Sequence, residues 1–216
     1  MPASDIQRLT DAAHERGGFA AMRSADDGTE TVYELNIALF SAFGGTAKNI
    51  PAYLGAHQLM LAFQGIPALY LNAFVGGLND LQGVESTGRT RSINRGHWQL
   101  DDLKTILATE TNEQSIIFAE LNRSLEIRGS QSAFAPSAQQ EILAYTKDSL
   151  WLKRENTDQV ILVIASFSEA PIETELPRQD AAYESAVDLL SEDAVVLTKA
   201  VPMAPYQVRW LSIAKT

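Results

Sequence analysis

The sequence predicts a mixed α/β segment followed by an all-β region. Three observations carry that reading. A nearly all-apolar helix, a glycine and a short apolar strand follow one another between Pro51 and Leu71, which is the second half of a βαβ unit. Six short strand-like runs recur at intervals of roughly ten residues after Gln139, as in small antiparallel sandwiches. Between the two, Ser130 to Gln140 is small, polar and proline-containing and marks a boundary near Gly129.

Taken in order, Ser4–Arg16 reads as a helix capped by Ser4, with Asp5 in its first turn and Gly17-Gly18 at its end. Asp26-Asp27-Gly28 is a turn signal, and Val32–Ile37 brings apolar residues back. Pro51 suits the first turn of the next helix, where its missing N–H costs nothing. Because Tyr53–Phe63 is apolar at nearly every position, that helix is expected to be buried on several faces. Gly65 stops it. Ile66–Leu71 then reads as a fully covered parallel strand with Pro67 near its start. A polar loop runs to about Trp98, a helix starts at Asp101, and an apolar stripe marks another from Ser115 to Arg128. The expected strands of the last region are Glu141–Tyr145, Leu150–Arg154, Val160–Phe167, Ile172–Leu176, Ala194–Leu197 and Gln207–Ile213.

Composition excludes several classes of function. With 17 basic and 27 acidic side chains the net charge is -10 over 216 residues, so no basic face for nucleic acid is expected. No cysteine is present, which removes disulfides, thiolate metal sites and cysteine nucleophiles. His14, His57 and His97 lack any metal-ligand spacing, so no metal is expected. The N-terminus does not read as a secretory signal. Residues 49–78 lack charge but are broken by Pro51, His57, Gln58, Gln64 and Pro67, so no membrane span is expected there either. A cytoplasmic location is the matching expectation.

One strand cannot make a sheet, and closed α/β barrels take about 250 residues. Residues 1–129 therefore read as part of a larger fold. Several motifs carry a resemblance that accounts for this: Tyr33-Glu34-Leu35-Asn36, Gln64-Gly65-Ile66-Pro67-Ala68-Leu69-Tyr70, Asn79-Asp80-Leu81-Gln82-Gly83-Val84-Glu85, Thr87-Gly88-Arg89-Thr90-Arg91-Ser92-Ile93-Asn94-Arg95, and Ala204-Pro205-Tyr206-Gln207-Val208-Arg209-Trp210-Leu211. Together they resemble the C-terminal part of sucrose-phosphorylase-like enzymes of the α-amylase superfamily. The Tyr-Glu-Leu-Asn form is similar to that of glucosylglycerate phosphorylases.

The resemblance implies the C-terminal portion of a (β/α)8 TIM barrel over residues 1–129, comprising the seventh and eighth βα units, and a small antiparallel β-sandwich over 130–216. It implies retaining phosphorolysis of an α-glucoside, in which a carboxylate nucleophile and an acid/base carboxyl group work as a pair and phosphate receives the glucosyl unit to give glucose 1-phosphate. No catalytic residue is expected in this chain, because the family's nucleophile, acid/base and His-Asp pair have no counterpart in it. The implied partners are the α-glucoside, phosphate and the missing N-terminal barrel portion, and the resemblance implies no metal or organic cofactor. Arg91 is the implied contact to glucosyl hydroxyls, since its planar fork suits paired oxygens. Tyr33 and Glu34 match a loop that shapes the acceptor and phosphate side, with Glu34 assigned to acceptor hydroxyls because a carboxylate repels phosphate. Asn79 and Asp80 lie just beyond the eighth strand, within reach of substrate.

Each assignment has a plainer alternative. Arg89, Arg91 and Arg95 also suit an ion-pair cluster on a loop, Asn-Asp is a common turn pair, and His57 suits a hydrogen-bonded core. Trp98, Trp151 and Trp210 fit core packing better than sugar stacking. The alternative for the whole chain is a standalone non-catalytic module that binds carbohydrate or protein. The chain by itself is expected to expose part of Tyr53–Leu71 and to self-associate, because large exposed apolar patches mark absent partners or aggregation.

Overall fold

A computed structural model describes residues 1–24, 26–177 and 183–213. They fall into two compact units, Met1–Ile50 with Leu69–Phe118, and Pro51–Ala68 with Ala119–Thr216. The composition break at Gly129 falls inside the second unit.

In the first unit, helix α1 (Ala3–Glu15) leads into a hairpin of β1 (Phe19–Ser24) and β2 (Glu30–Asn36). Pro2, not Ser4, is the N-cap of α1, and it offers no capping side chain. Gly17 closes the helix at φ 76°, and the Gly18 N–H reaches back to the Ala13 carbonyl at 2.8 Å. That left-handed closure is the one Gly17-Gly18 implied. Strand β1 was not anticipated, because Phe19–Ser24 lacks the β-branched residues that mark a strand. The turn signal is correctly placed, with Asp27 Oδ1 accepting from the Thr29 N–H at 2.9 Å. Helix α2 (Leu39–Ala42) follows. After the second unit's first segment come α4 (Leu71–Phe74), α5 (Leu81–Thr87), a 3-10 turn at Thr90–Asn94 and α6 (Leu100–Leu107).

The second unit is built on a six-stranded antiparallel sheet. Its strands are β3 (Gln139–Tyr145), β4 (Ser149–Glu155), β5 (Val160–Ser166), β7 (Ser185–Asp188), β8 (Ala194–Val196) and β10 (Val208–Ile213), in the order β3-β4-β5-β10-β7-β8. Strands β6 (Ile172–Thr174) and β9 (Val201–Met203) form a separate antiparallel ribbon. All six expected strands are present within a residue or two at each end, and β7 and β9 are additional.

Both faces of the large sheet are covered. Leu162, Ile164, Leu211 and Ile213 pack with Trp151, Val201 and Met203 on the ribbon side. Ile161, Val163, Ala165, Val208 and Trp210 pack against Leu61, Ala62, Ala133 and Phe134 on the other. Strand β5 is consequently buried at every residue, which explains its unbroken apolar run. Phe134 meets Trp210 edge-on, with ring centroids 5.0 Å apart. Trp151 and Trp210 are core residues, as anticipated.

Helix α3 (Ile50–Ala62) and helix α7 (Glu113–Gly129) each span parts of both units. The C-terminal end of α3 is held by two arginines. Arg154, fully buried, donates to the carbonyls of Gln139, Ala62 and Ala135 at 3.3, 2.7 and 2.9 Å. Arg128 donates to those of Leu61, Gly65 and Phe134 at 2.8, 3.1 and 3.0 Å. Cations there satisfy the orphan carbonyls of a helix end and meet the negative pole of its dipole. Burial holds both guanidinium groups below their ordinary pKa, and for Arg154 the nearby Arg128 charge adds to the effect.

Gly55 of α3 faces the Tyr206 carbonyl so closely that a Cβ would overlap it. Gly→Ala inside a helix ordinarily gains about 1 kcal/mol. Here the obstacle is backbone, at a residue already held at φ 57°. Gly55→Ala is therefore expected to lower stability by about 1–3 kcal/mol, read from urea unfolding. A more stable variant would contradict the contact.

His57 is 4% exposed, and its Nδ1 lies 2.9 Å from the Tyr53 carbonyl, so it is the core histidine expected. Burial holds its pKa below the usual 6.5, against a smaller opposing effect of that hydrogen bond. The unfolded chain thus binds more protons than the folded one as pH falls through 6.5. Stability present above that pH is lost below it, by up to about 1.4 kcal/mol per pH unit. His57→Gln should flatten the pH 7 to 5 part of the stability curve. An unchanged slope would rule His57 out as its source.

One expected element is corrected. Ile66–Leu71 is not a strand: Ile66–Tyr70 lies outside regular secondary structure, and Leu71 begins α4. Ile66, Tyr70 and Leu71 are 87%, 56% and 58% exposed. From Ile66 to Leu69 the main chain makes no backbone hydrogen bond among the described residues. A strand exists only by pairing, and none of the described strands pairs with this run. The exposure is what was expected of Tyr53–Leu71 at this end, whereas Tyr53, Leu61 and Ala62 are fully buried. No helix among the described residues is long and apolar enough to cross a membrane.

Candidate functional site

The long motif Thr87–Arg95 has a local explanation at almost every position. Gly88 ends α5 at φ 63°, where a side chain would be strained. Thr87 Oγ1 lies 2.7 Å from the Gly83 carbonyl and 2.7 Å from Ser92 Oγ, tying the helix end to the 3-10 turn. Ile93 is fully buried, and its carbonyl accepts from the Asp80 N–H at 2.7 Å. Thus anchored, the turn presents Arg91.

Arg91 reaches across to β2. Its Nε and Nη2 lie 2.8 and 2.6 Å from the same Glu34 oxygen, Oε2. The pair is well exposed, at 51% and 35% of the two side chains, so it adds little to stability and serves to aim the guanidinium. Hydrogen bonding and charge from Glu34 hold the Arg91 pKa above its ordinary value, with a smaller contribution from Tyr33. Tyr33 itself is 61% exposed. Both Tyr33 and Glu34 lie in the hairpin strand β2, where a loop was expected.

Arg91 lines a cavity of about 540 Å³ with Arg89, Arg95, Thr87 and Ser92. Neither Arg89 nor Arg95 has an ion-pair partner among the described residues, so the anticipated internal ion-pair cluster is confined to Arg91 and Glu34. Three guanidinium groups around one concavity can donate to hydroxyl, carboxylate or phosphate oxygens.

Asn79 and Asp80 have structural duties. Asn79 Oδ1 accepts from the Ala38 N–H at 2.8 Å, its Nδ2 donates to the Arg16 carbonyl at 3.0 Å, and its N–H donates to Ser41 Oγ at 3.0 Å. Asp80 caps α5, with Oδ1 accepting from the Gly83 N–H at 2.7 Å. Both line a second cavity, of about 550 Å³, with His97 and Trp98. The five candidates therefore separate: Tyr33, Glu34 and Arg91 come together, and Asn79 and Asp80 face a different hollow.

Asn72 was not anticipated. Its Nδ2 donates to the Asn94 and Gly96 carbonyls at 3.2 and 3.1 Å, and its Oδ1 accepts from Trp98 Nε1 at 2.8 Å. It fixes the far end of the motif, and nothing in its apolar surroundings signals that. Among the described residues no three His, Asp or Glu side chains are grouped to hold a metal ion.

No family model matches the chain. In fold it is similar to a solved sucrose 6F-phosphate phosphorylase from Thermoanaerobacter thermosaccharolyticum, at a TM-score of 0.64 and 18% identity, over 94% of this chain and 37% of that one. It is also similar to the α-amylase from Geobacillus thermoleovorans, at a TM-score of 0.59 and 12% identity, over 77% and 34%. The fold is thus that of part of an α-amylase-type enzyme. In sequence it is 26% identical to the glucosylglycerate phosphorylase of Escherichia coli (strain K12), over 98% of this chain and 38% of the relative. The chain resembles the C-terminal part of the sucrose-phosphorylase-like enzymes of the α-amylase superfamily. It spans about two fifths of the length of the curated relatives that match nearly all of it.

Proposed function

We propose that the chain is the substrate-side part of a retaining α-glucoside phosphorylase of the glucosylglycerate or sucrose type, which transfers a glucosyl unit to phosphate and yields glucose 1-phosphate. In this reading residues 1–129 complete a (β/α)8 barrel as its seventh and eighth βα units, residues 130–216 form its C-terminal β-sandwich, and the catalytic carboxylates lie outside the chain. The observation that carries it is the Arg91–Glu34 pair beside Tyr33, on the motif that marks the family resemblance.

The pair divides the labour. Because Glu34 occupies the Nε and Nη2 edge of Arg91, the Nη1 group is left to donate to sugar hydroxyls. Glu34 Oε1 is left as an acceptor for hydroxyls of the leaving alcohol. The same carboxylate repels a phosphate dianion approaching that edge. Arg89 and Arg95 add positive charge to the adjoining cavity, so oxyanions are drawn to the side away from Glu34.

The test is a chimera in which this chain replaces the matching two fifths of the Escherichia coli glucosylglycerate phosphorylase. Expected is glucose 1-phosphate release from an α-glucoside and phosphate by the chimera, and none by the chain alone. Turnover by the isolated chain, or a folded chimera with none, would overturn the proposal. Reading the coding DNA upstream of the Met1 codon for an in-frame barrel ending in a His-Asp segment tests the fragment reading independently.

A further inference from the structure

We infer that the β-rich unit carries a binding site for a small oxyanion, a phosphate or carboxylate group, at Arg209 and Lys199. The place is a cavity of about 390 Å³ lined by β8, β9 and Arg209 of β10, within the range of small-ligand pockets. Arg209 belongs to the closing motif Ala204–Leu211, which the phosphorylase reading leaves without a task.

The guanidinium of Arg209 is only partly used. The side chain is 15% exposed, and Nη1 lies 3.4 Å from Asp188 Oδ2, a long contact for an ion pair. Among the described residues the buried Nε has no hydrogen-bond partner, and Nη2 has none either. Nη2 is thus left to donate to an oxygen of a carboxylate or phosphate in the cavity.

Asp188 does not fill that role. It is 1% exposed, and its oxygens accept from the Leu190 N–H, the Trp210 N–H and Ser191 Oγ at 3.1, 3.2 and 3.2 Å. It serves the corner between β7 and β10 and reaches Arg209 only at the far nitrogen. Lys199 supplies a second cation on the cavity wall, exposed and without an ion-pair partner among the described residues. The carboxylate on the wall is Asp193, which is exposed to solvent and therefore screened. In a chain of net charge -10, two cations brought to one concavity mark it off from its surroundings.

The experiment is calorimetric titration of the full chain carrying Arg91→Ala, which removes the central guanidinium of the other arginine-lined cavity. The probes are inorganic phosphate and, separately, succinate. Expected is saturable binding of one equivalent of at least one probe, which tells a phosphate site from a carboxylate site. Adding Lys199→Met, a surface change that leaves the unfolding midpoint in place, should weaken it at least about threefold, the range of one exposed charge contact. Saturable binding of neither probe, or an affinity unmoved by Lys199→Met, would overturn the site.

Discussion

Replacing Arg154 with methionine is expected to lower the unfolding free energy by about 1–3 kcal/mol, although the substitution removes a buried charge that is costly to hold. Two effects oppose each other. Taking a guanidinium out of water is expensive, and the depressed pKa of Arg154, with Arg128 close by, reflects that cost. Against it stand three hydrogen bonds, to the carbonyls of Gln139, Ala62 and Ala135, that this one side chain donates. Methionine fills the volume and relieves the repulsion on Arg128, but leaves the buried Ala62 carbonyl without a donor among the described residues and removes one hydrogen bond each from Gln139 and Ala135, the latter still accepting from the Ala138 N–H at 3.0 Å. One unsatisfied buried group costs about 1–3 kcal/mol, and the two further charge-assisted hydrogen bonds lost with it outweigh the relief. Arg154→Lys should be no better, since one ammonium cannot match the spread of a planar fork. Urea unfolding of both variants decides it. A methionine variant as stable as the parent would mean that charge burial outweighs the hydrogen bonds.

The second large effect concerns Arg91. In the chimeric enzyme, Arg91→Ala is expected to reduce kcat/KM for phosphorolysis by about 100-fold or more, about 2.7 kcal/mol at 1.36 kcal/mol per decade. Arg91→Lys should recover little of this, because the ammonium keeps the charge but not the fork held by Glu34. Glu34→Gln removes the carboxylate and keeps the shape. It should lower kcat/KM by less, about tenfold, while reducing the KM for phosphate as the repulsion disappears. Variants within twofold of the parent would reduce Arg91 to the ion-pair alternative. Since the pair is well exposed, none of these changes should move the unfolding midpoint appreciably.

Much of this was legible in the residues because short-range physics decides it. Gly17-Gly18 closes α1, Asp27 builds its turn, and the strands after Gln139 announce themselves as short runs about ten residues apart with turns between them. Where the outcome depended on distant partners, the sequence misled. Ile66–Leu71 has the composition of a covered strand, yet no described strand lies alongside it to accept its hydrogen bonds. Strand β1 has the opposite history, since Phe19–Ser24 is a poor strand former made into one by pairing with β2. At the candidate site, the motif pointed to Arg91, Tyr33 and Glu34, and these do come together. Asn79 and Asp80 were chosen by position alone, and their side chains turned out to hold the fold. Asn72 was invisible because its work depends on Trp98, 26 residues away.

The double coverage of β5 has a consequence for how the sheet finds its alignment. In a strand with one wet face, sliding by one residue exchanges oil for water and is self-correcting. Val160–Ala165 is apolar on both sides, so the same slip would go almost unpunished by hydrophobicity. What penalises it is the few polar groups on the neighbouring β4. Arg154, opposite Ile161, finds the end of α3 only in this alignment, and Trp151, opposite Ile164, donates to Thr174 Oγ1 at 2.8 Å only here. These two residues act as pins that choose one of several almost equally greasy sheets.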